Sequence, residues 1–322
     1  MIKRLIKKIL YPPIRILMKE LVAIERRMIQ SEHDLPYSPV FIIGIPRSGT
    51  TLLYQLITDC FDVAYLSNMT AKYYELPCIL SYFLSYTRGC TPHRIYRSSY
   101  GEITGWRAPS QGWLFWARWF PSEQNYVGMG EIPDTSIREI RNSISIIEKI
   151  YNRPFVCKNL SLGARLLPLN EAFPEALFIR IYRSHIDCAQ SILKGRKEYT
   201  GDITNWFSVK PSAYEKIKSK DPLTQVCEQI YYLENDISRD MSLIGEDRCL
   251  TVSYAELCQN PKGVMEKILK FYEQKTRKGI LKKRYDPPPS FNYSSERTCS
   301  TAEYVKLKEC LTKLYKSEAE AL

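Results

Sequence analysis

Histidine is scarce in this chain, with three in 322 residues, and its ten cysteines include no C-x-x-C pair. These absences argue against a zinc site. The scattered thiols, in a chain long enough to bury a core, are expected to be reduced packing residues of a cytosolic protein. No run of about 18 apolar residues occurs, so no transmembrane helix is expected. The N-terminus lacks the uninterrupted apolar core and small-residue cleavage site of a secretory signal. Internal repeats and low-complexity tracts are missing as well.

Positive charge is plentiful. The net charge is +11, from 46 Lys and Arg against 35 Asp and Glu. This balance suits an anionic cofactor, substrate or surface; no nucleic-acid partner is expected. Residues 1–30 hold eight basic and two acidic side chains, and "KTRKGILKKR" at 275–284 holds six basic and none acidic. In "MIKRLIKKIL", Ile2, Leu5, Ile6, Ile9 and Leu10 share a helical stripe, with Lys3, Arg4, Lys7 and Lys8 off it. "YPP", Tyr11 to Pro13, is expected to interrupt the helix before Ile14, Leu17, Met18 and Leu21 resume the spacing. Residues 1–35 thus read as a basic amphipathic helical segment, and 36–322 as one folded domain. Such a segment can lie on an anionic membrane. A helix docked on the domain, with a solvated basic face, is the alternative.

Beyond residue 36, short apolar runs alternate with helical patterns. Val40–Ile45, "VAYL" at 63–66, "PFVCK", "ALFIRIY" at 176–182 and "CLTVSY" read as strands. Helices are expected from Ser48–Thr50 onward, over roughly Gly163–Ala172, after "SHID", over "LTQVCEQIYYLENDISRDM", from an Asn260 cap, and near 302–315. The alternation predicts a single α/β domain with a central, mostly parallel sheet flanked by helices.

The stretch "FIIGIPRSGTTLLYQL" carries G-x-x-x-x-G from Gly44 to Gly49, the opening of a nucleotide phosphate loop. The Lys that should follow is missing; Thr50 and Thr51 stand there, and Arg47 is the nearby cation. A glycine turn leading into a helix still offers free N–H groups and the positive end of the helix dipole to an anion. Ser48, Thr50 and Thr51 add hydroxyls, and Arg47 adds a charged, bidentate partner. The strands "PFVCK" and "ALFIRIYR" end in cations rather than in metal-binding acids, so protein cations would have to stabilise the developing charge.

"IPRSGTTLL" resembles the 5′-phosphosulfate loop of sulfotransferases that use 3′-phosphoadenylyl sulfate (PAPS), in the Arg-bearing form of the bacterial, carbohydrate and tyrosylprotein types. The resemblance runs from about residue 38 to 275. It implies a P-loop NTPase-like (sulfotransferase) fold, PAPS as sulfuryl donor and no metal. It assigns Arg47, Ser48, Gly49, Thr50 and Thr51 to the 5′ phosphosulfate. It also assigns Arg183 and Ser191, eight residues apart after "ALFIRIY", to the 3′-phosphate, with Asp187 at the family's acidic position. His185 stands where the family usually has Pro. Lys158 would neutralise the leaving phosphate. The "RKG" at 277–279 matches a family tripeptide only in spelling, because its spacing is wrong; it reads as a solvated basic run. Arg297 is a weak late candidate for the same phosphate.

The family's small-molecule members place a His base two residues after the lysine; here that residue is Leu160. A carboxylate base therefore fits better, and Glu102 in "SYGEITGWRAP" is favoured over Glu75, Glu123 and His93. Bacterial members often carry an acid near Gln111, where this chain has an amide. Trp113, Trp116 and Phe120 share a helical stripe and are expected in the core, whereas Trp106 is expected to face a ligand. The implied reaction is sulfuryl transfer to an acceptor hydroxyl on a carbohydrate or glycolipid, in a cytoplasmic protein that can sit peripherally on the inner membrane face. A P-loop kinase or NTPase using ATP, and a non-catalytic nucleotide-binding, membrane-associated protein, remain as alternatives.

Overall fold

The computed structural model describes residues 2–86, 96–99, 101–121, 125–276, 284–293 and 295–319. His93, Glu123 and the 277–279 run lie outside them.

The apolar runs become the strands of a parallel sheet. They are β1 (Val40–Ile43), β2 (Val156–Lys158), β3 (Leu177–Tyr182) and β4 (Cys249–Ser253), in the order β2-β1-β3-β4 and all parallel. β1 and β2 are buried throughout, β3 is buried except at Arg180 and Tyr182, and the edge strand β4 is largely part-exposed. Side chains alternate faces along each strand. Phe41 and Ile43 enter one core with Phe178, Trp116, Ile144 and Phe173. Val40 and Ile42 enter the other with Ile179, Leu53, Ile57 and Tyr272.

The N-terminal helix α1 (Ile2–Gln30) passes Pro12 and Pro13 without a break, so the expected interruption does not occur. Proline's fixed φ is compatible with a helix; each of the two removes one backbone donor and crowds the carbonyl four residues earlier, a cost the continuous helix bears here. The second half of α1 is docked. Glu25 is buried and accepts the N–H groups of Cys78 and Ile79 at 2.8 and 2.9 Å. The carbonyl of Ile29, itself a core residue, accepts from Asn142 Nδ2 at 2.9 Å. Ile16, Leu17 and Ile24 on the same helix remain exposed.

After β1 come α2 (Thr50–Cys60), α3 (Asn68–Lys72), α4 (Pro77–Tyr86), α5 (Trp113–Ala117) and α6 (Asp134–Tyr151). The strand expected over 63–66 reduces to one parallel bridge, Ala64 to Phe155. The chain leaves the sheet edge there because Ser67 turns to cap α3, its Oγ accepting from Thr70 N at 3.2 Å. The helix expected over 163–172 divides into a 3₁₀ turn, Leu160–Ala164, and α7 (Leu166–Ala172). Arg165 at the join leaves helical geometry to lay its guanidinium 4.4 Å from the Phe120 ring and to donate to the Asn125 carbonyl at 3.2 Å.

The second half of the chain adds α8 (His185–Tyr199), α9 (Tyr214–Ile217), α10 (Pro222–Ile244), α11 (Tyr254–Gln259), α12 (Pro261–Lys275) and α13 (Thr301–Ala319). Asn260 caps α12 as expected, accepting from Gly263 N at 3.0 Å. His185, the departure from the family's Pro, stacks on Tyr315 of α13 at 4.5 Å and fastens that helix to the start of α8. The nine described cysteines are free thiols, and six of them are buried. No helix among the described residues is long and apolar enough to cross a membrane.

Candidate active site

The strand order puts β2 on one side of β1 and β3 on the other. In open parallel sheets, such a reversal opens a crevice beyond the carboxyl ends of the strands. The register brings Ile43, Lys158 and Tyr182 to that edge. A cavity of about 650 Å³ lies there, reached by the β1–α2 loop, the ends of β2 and β3, and the segments around 98–113 and 199–209.

Between β1 and α2 the backbone turns sharply. Arg47 has φ 71° and Gly49 has φ 102°. Left-handed backbone costs a non-glycine residue free energy, and it is found where function fixes the geometry. Gly49 has a second reason to be glycine: a Cβ there would sit 2.3 Å from the Tyr254 ring. The turn aims the amino end of α2 at the cavity, which Gly49, Thr50 and Thr51 line. Ser48 is fully buried instead. Its Oγ donates to the Ile45 carbonyl at 2.8 Å and braces the turn from inside.

Lys158 ends β2 with 1% of its surface exposed. Its Nζ donates to Gln111 Oε1 at 2.9 Å. Gln111 is itself held, its Nε2 donating to the Gly101 carbonyl at 3.3 Å and its carbonyl accepting from Asn159 Nδ2 at 3.0 Å. Burial, assisted by the Arg47 charge, brings the Lys158 ammonium down to about 7. A buried cation without a carboxylate partner is costly and favours an arriving anion.

Arg183 follows β3. Its Nη1 donates to the Arg47 carbonyl at 3.1 Å, and its Nε lies 3.9 Å from Asp187. The guanidinium carbon is 4.8 Å from the Tyr254 ring centre and 5.6 Å from that of Tyr293, whose hydroxyl donates to Asp187 at 2.8 Å. Arg47 Nε donates to Ser191 Oγ at 2.9 Å. Residues 136 and 144 positions apart are thereby tied together. Of the residues singled out by sequence, Arg47, Gly49, Thr50, Thr51, Glu102, Lys158 and Arg183 line the one cavity, and Ser191 joins them through Arg47.

Glu102 is the only carboxylate lining that cavity among the described residues. It sits in a tight turn in which its backbone N–H and C=O both pair with Ser99. Glu75 lies elsewhere, and Arg297 Nη1 donates to Thr301 Oγ1 rather than into the cavity. One expectation about tryptophan is reversed, that for Trp113; Trp106, expected to face a ligand, is not among the residues lining this cavity. Trp106 is exposed, with the Arg107 guanidinium carbon 4.5 Å from its ring centre. Trp116 and Phe120 are buried as expected, but Trp113, the first residue of α5 after the Gly112 turn, does not join them, and its indole lines the cavity, 52% exposed. Sequence reasoning missed Tyr199, Trp206 and Phe207 on the cavity wall. The cluster "TNWFS" in a polar stretch was the signal available for the last two.

A parallel α/β sheet, a glycine turn into a helix and cations at the strand ends make a cavity suited to an anionic ligand. Residues 39–277 match the model of the sulfotransferase family, and the chain belongs to that family. Its fold is similar to that of sulfotransferase STF1 from Mycobacterium tuberculosis H37Rv, with TM-score 0.54, 14% identity, and 93% of this chain and 82% of that one covered. It is likewise similar to sulfotransferase STF9 from Mycobacterium avium, with TM-score 0.52, 12% identity, and 92% and 72% covered. No curated protein matched in sequence.

Proposed function

We propose that this sulfotransferase moves a sulfuryl group from PAPS to an acceptor hydroxyl on a carbohydrate or glycolipid, leaving adenosine 3′,5′-bisphosphate. The observation that carries the donor is the convergence of Arg47, Lys158 and Arg183 with the amino end of α2 on one cavity. Two anions can be met there, one by Thr50, Thr51 and Lys158, the other by Arg183 and Ser191. ATP has no phosphate for the second position.

PAPS supplies the activated sulfuryl group. The chain's own groups do the rest. The α2 amino end and Arg47 hold the 5′ side, where backbone donors in a partly desolvated site are worth more than in water. Lys158, as the ammonium, offsets charge on the departing phosphate. Glu102 takes the acceptor's proton, a role supported by its being the sole lining carboxylate among the described residues. The acceptor class follows from the Arg-bearing loop and from Leu160 at the position of the small-molecule enzymes' His.

Calorimetry separates this reading from an ATP-using kinase. Adenosine 3′,5′-bisphosphate should bind without added metal, and ATP with magnesium should not. Binding of ATP with no binding of the bisphosphate would overturn the donor assignment.

We place the enzyme in the cytoplasm, on the inner membrane face. Support comes from the basic N-terminal residues and from exposed Ile16, Leu17 and Ile24 on α1. The full chain should sediment with phosphatidylglycerol-containing vesicles at low salt and be released at high salt. Equal recovery with neutral vesicles would remove the electrostatic part of this proposal.

A further inference from the structure

We propose that the segment Tyr199–Val209, together with Trp113, forms the acceptor subsite, and that its occupant is a neutral saccharide ring. This inference rests on the sulfotransferase reading above.

The cavity is chemically divided. Its lining cations, Arg47, Lys158 and Arg183, belong to the β1–α2 loop and the strand ends. The 199–209 part of the wall contributes Tyr199, Trp206 and Phe207 with Thr200 and Ser208, and no charge. Both ends of α8 reach the cavity, since Arg183 precedes its first turn and Tyr199 is its last residue. From Ser191 to Tyr199 is eight residues, or about 12 Å along the helix axis. The aromatic wall therefore begins well beyond the position assigned to the 3′-phosphate.

The wall is built in advance. Gln229 is fully buried, and its Nε2 donates to the carbonyls of Phe207 at 3.0 Å and Val209 at 2.8 Å. Trp206 Nε1 donates to the Ser208 carbonyl at 3.1 Å, and its ring meets Tyr214 edge-on at 4.7 Å. Gly195 of α8 lets Phe207 close in, because a Cβ there would lie 2.7 Å from the phenyl ring. Ser208 is held at φ 73°, a conformation that persists only when its surroundings enforce it. Packing alone would explain a buried loop. It does not explain an indole at Trp113 that is half exposed within the same cavity, two residues from the amide that holds Lys158.

A sugar ring shows an apolar C–H face and a rim of hydroxyls. Aromatic faces answer the first. Amides and hydroxyls answer the second, and here Asn125, Ser161, Thr200 and Ser208 supply them, with Ser161 Oγ donating to Asn125 Oδ1 at 3.3 Å. An ionised acceptor would need countercharge at the wall surface; the nearest there, the Arg196 guanidinium 5.2 Å from the Trp206 ring centre, is fully buried behind that ring and does not line the cavity. In the transfer, the acceptor oxygen forms a bond to sulfur and the bond from sulfur to the bridging phosphate oxygen breaks. The hydroxyl proton goes to Glu102, and the departing electron pair goes to the phosphate oxygen beside Lys158.

The test uses the full chain, labelled PAPS, octyl β-glucoside and octyl β-galactoside as neutral glycosides, and p-nitrophenol as an apolar phenol. Trp113→Ala should raise KM for the glycoside at least about tenfold, with Trp113→Phe recovering most of it. Bisphosphate affinity should stay within about twofold of wild type, since aromatic stacking here is assigned to the acceptor. Trp206→Ala should behave as Trp113→Ala does; should it unfold, the Trp113 pair decides. A tenfold loss of bisphosphate affinity in Trp113→Ala would assign the aromatics to the nucleotide and overturn the proposal. So would transfer to the phenol with neither glycoside used, or an unchanged glycoside KM. If wild-type protein does not bind the bisphosphate, the donor reading fails instead, which is a separate result.

Discussion

Replacing Lys158 with Ala is expected to lower the transfer rate by roughly 10²–10³-fold, the usual cost of deleting one preorganised group that stabilises transition-state charge. Bisphosphate should still bind, because Arg47, Arg183 and the α2 amino end remain. The size of the effect follows from where the lysine sits. Its Nζ is buried at the end of β2, fixed on Gln111 Oε1 at 2.9 Å. It pays no reorganisation when charge develops on the departing phosphate. The pH dependence has a definite sign. Only the ammonium form can offset that charge, and in the free protein burial brings the group down to about 7. The kcat/KM for the donor should therefore fall as pH rises through about 7. A bound anion favours the ammonium, so the corresponding limb in kcat should lie at higher pH. Lys158→Arg keeps its charge throughout this range and should lose the limb even where its rate is reduced. Steady-state rates of wild type and both variants from pH 5.5 to 9 would decide; an identical limb in Lys158→Arg would show that another group titrates.

Arg183→Ala is the second large effect. Bisphosphate affinity should fall roughly 100-fold, equivalent to about 2.7 kcal/mol, as expected for a charge-assisted pair in a partly desolvated site. Adenosine 5′-phosphosulfate, which lacks the 3′-phosphate, should lose much less. It should still lose something, because Arg183 Nη1 also holds the Arg47 carbonyl at 3.1 Å and the loss of that bond loosens the turn. Paired calorimetric titrations of the two nucleotides measure the difference. Equal losses for both would remove the 3′-phosphate from Arg183 and leave it a loop brace.

The sheet was legible because its central strand β1 is buried at every position and reads as an unbroken apolar run, and the other strands are mostly apolar or β-branched. The β1–α2 turn was legible because its backbone demands glycine at position 49 and a helix directly after. Lys158 and Arg183 could be picked out as charges placed where buried strands end. The opposite wall was not legible. Trp206, Phe207 and Ser208 lie in a loop with no period, and their placement depends on Gln229, about 20 residues away. Trp113 was misread because it opens α5: the stripe it shares with Trp116 and Phe120 is buried only from Trp116 onward, and the spacing does not say where a buried stripe begins. Gln111 looked like a missing acid; that its amide would accept from Lys158 is a contact between segments 47 residues apart, which no local pattern encodes.

The hydrogen bond from Arg47 Nε to Ser191 Oγ joins the two halves of the proposed nucleotide site directly. Such a tie makes the halves thermodynamically linked, and linkage is reciprocal. Ser191 can accept from Arg47 and still donate its own hydroxyl proton, and the tie uses only the Nε of Arg47, so it can persist while both side chains meet an anion. On the proposed assignment, a 5′ group held by Arg47 and a 3′-phosphate held by Ser191 would be joined through one hydrogen bond, so that filling one position orders the residue that serves the other.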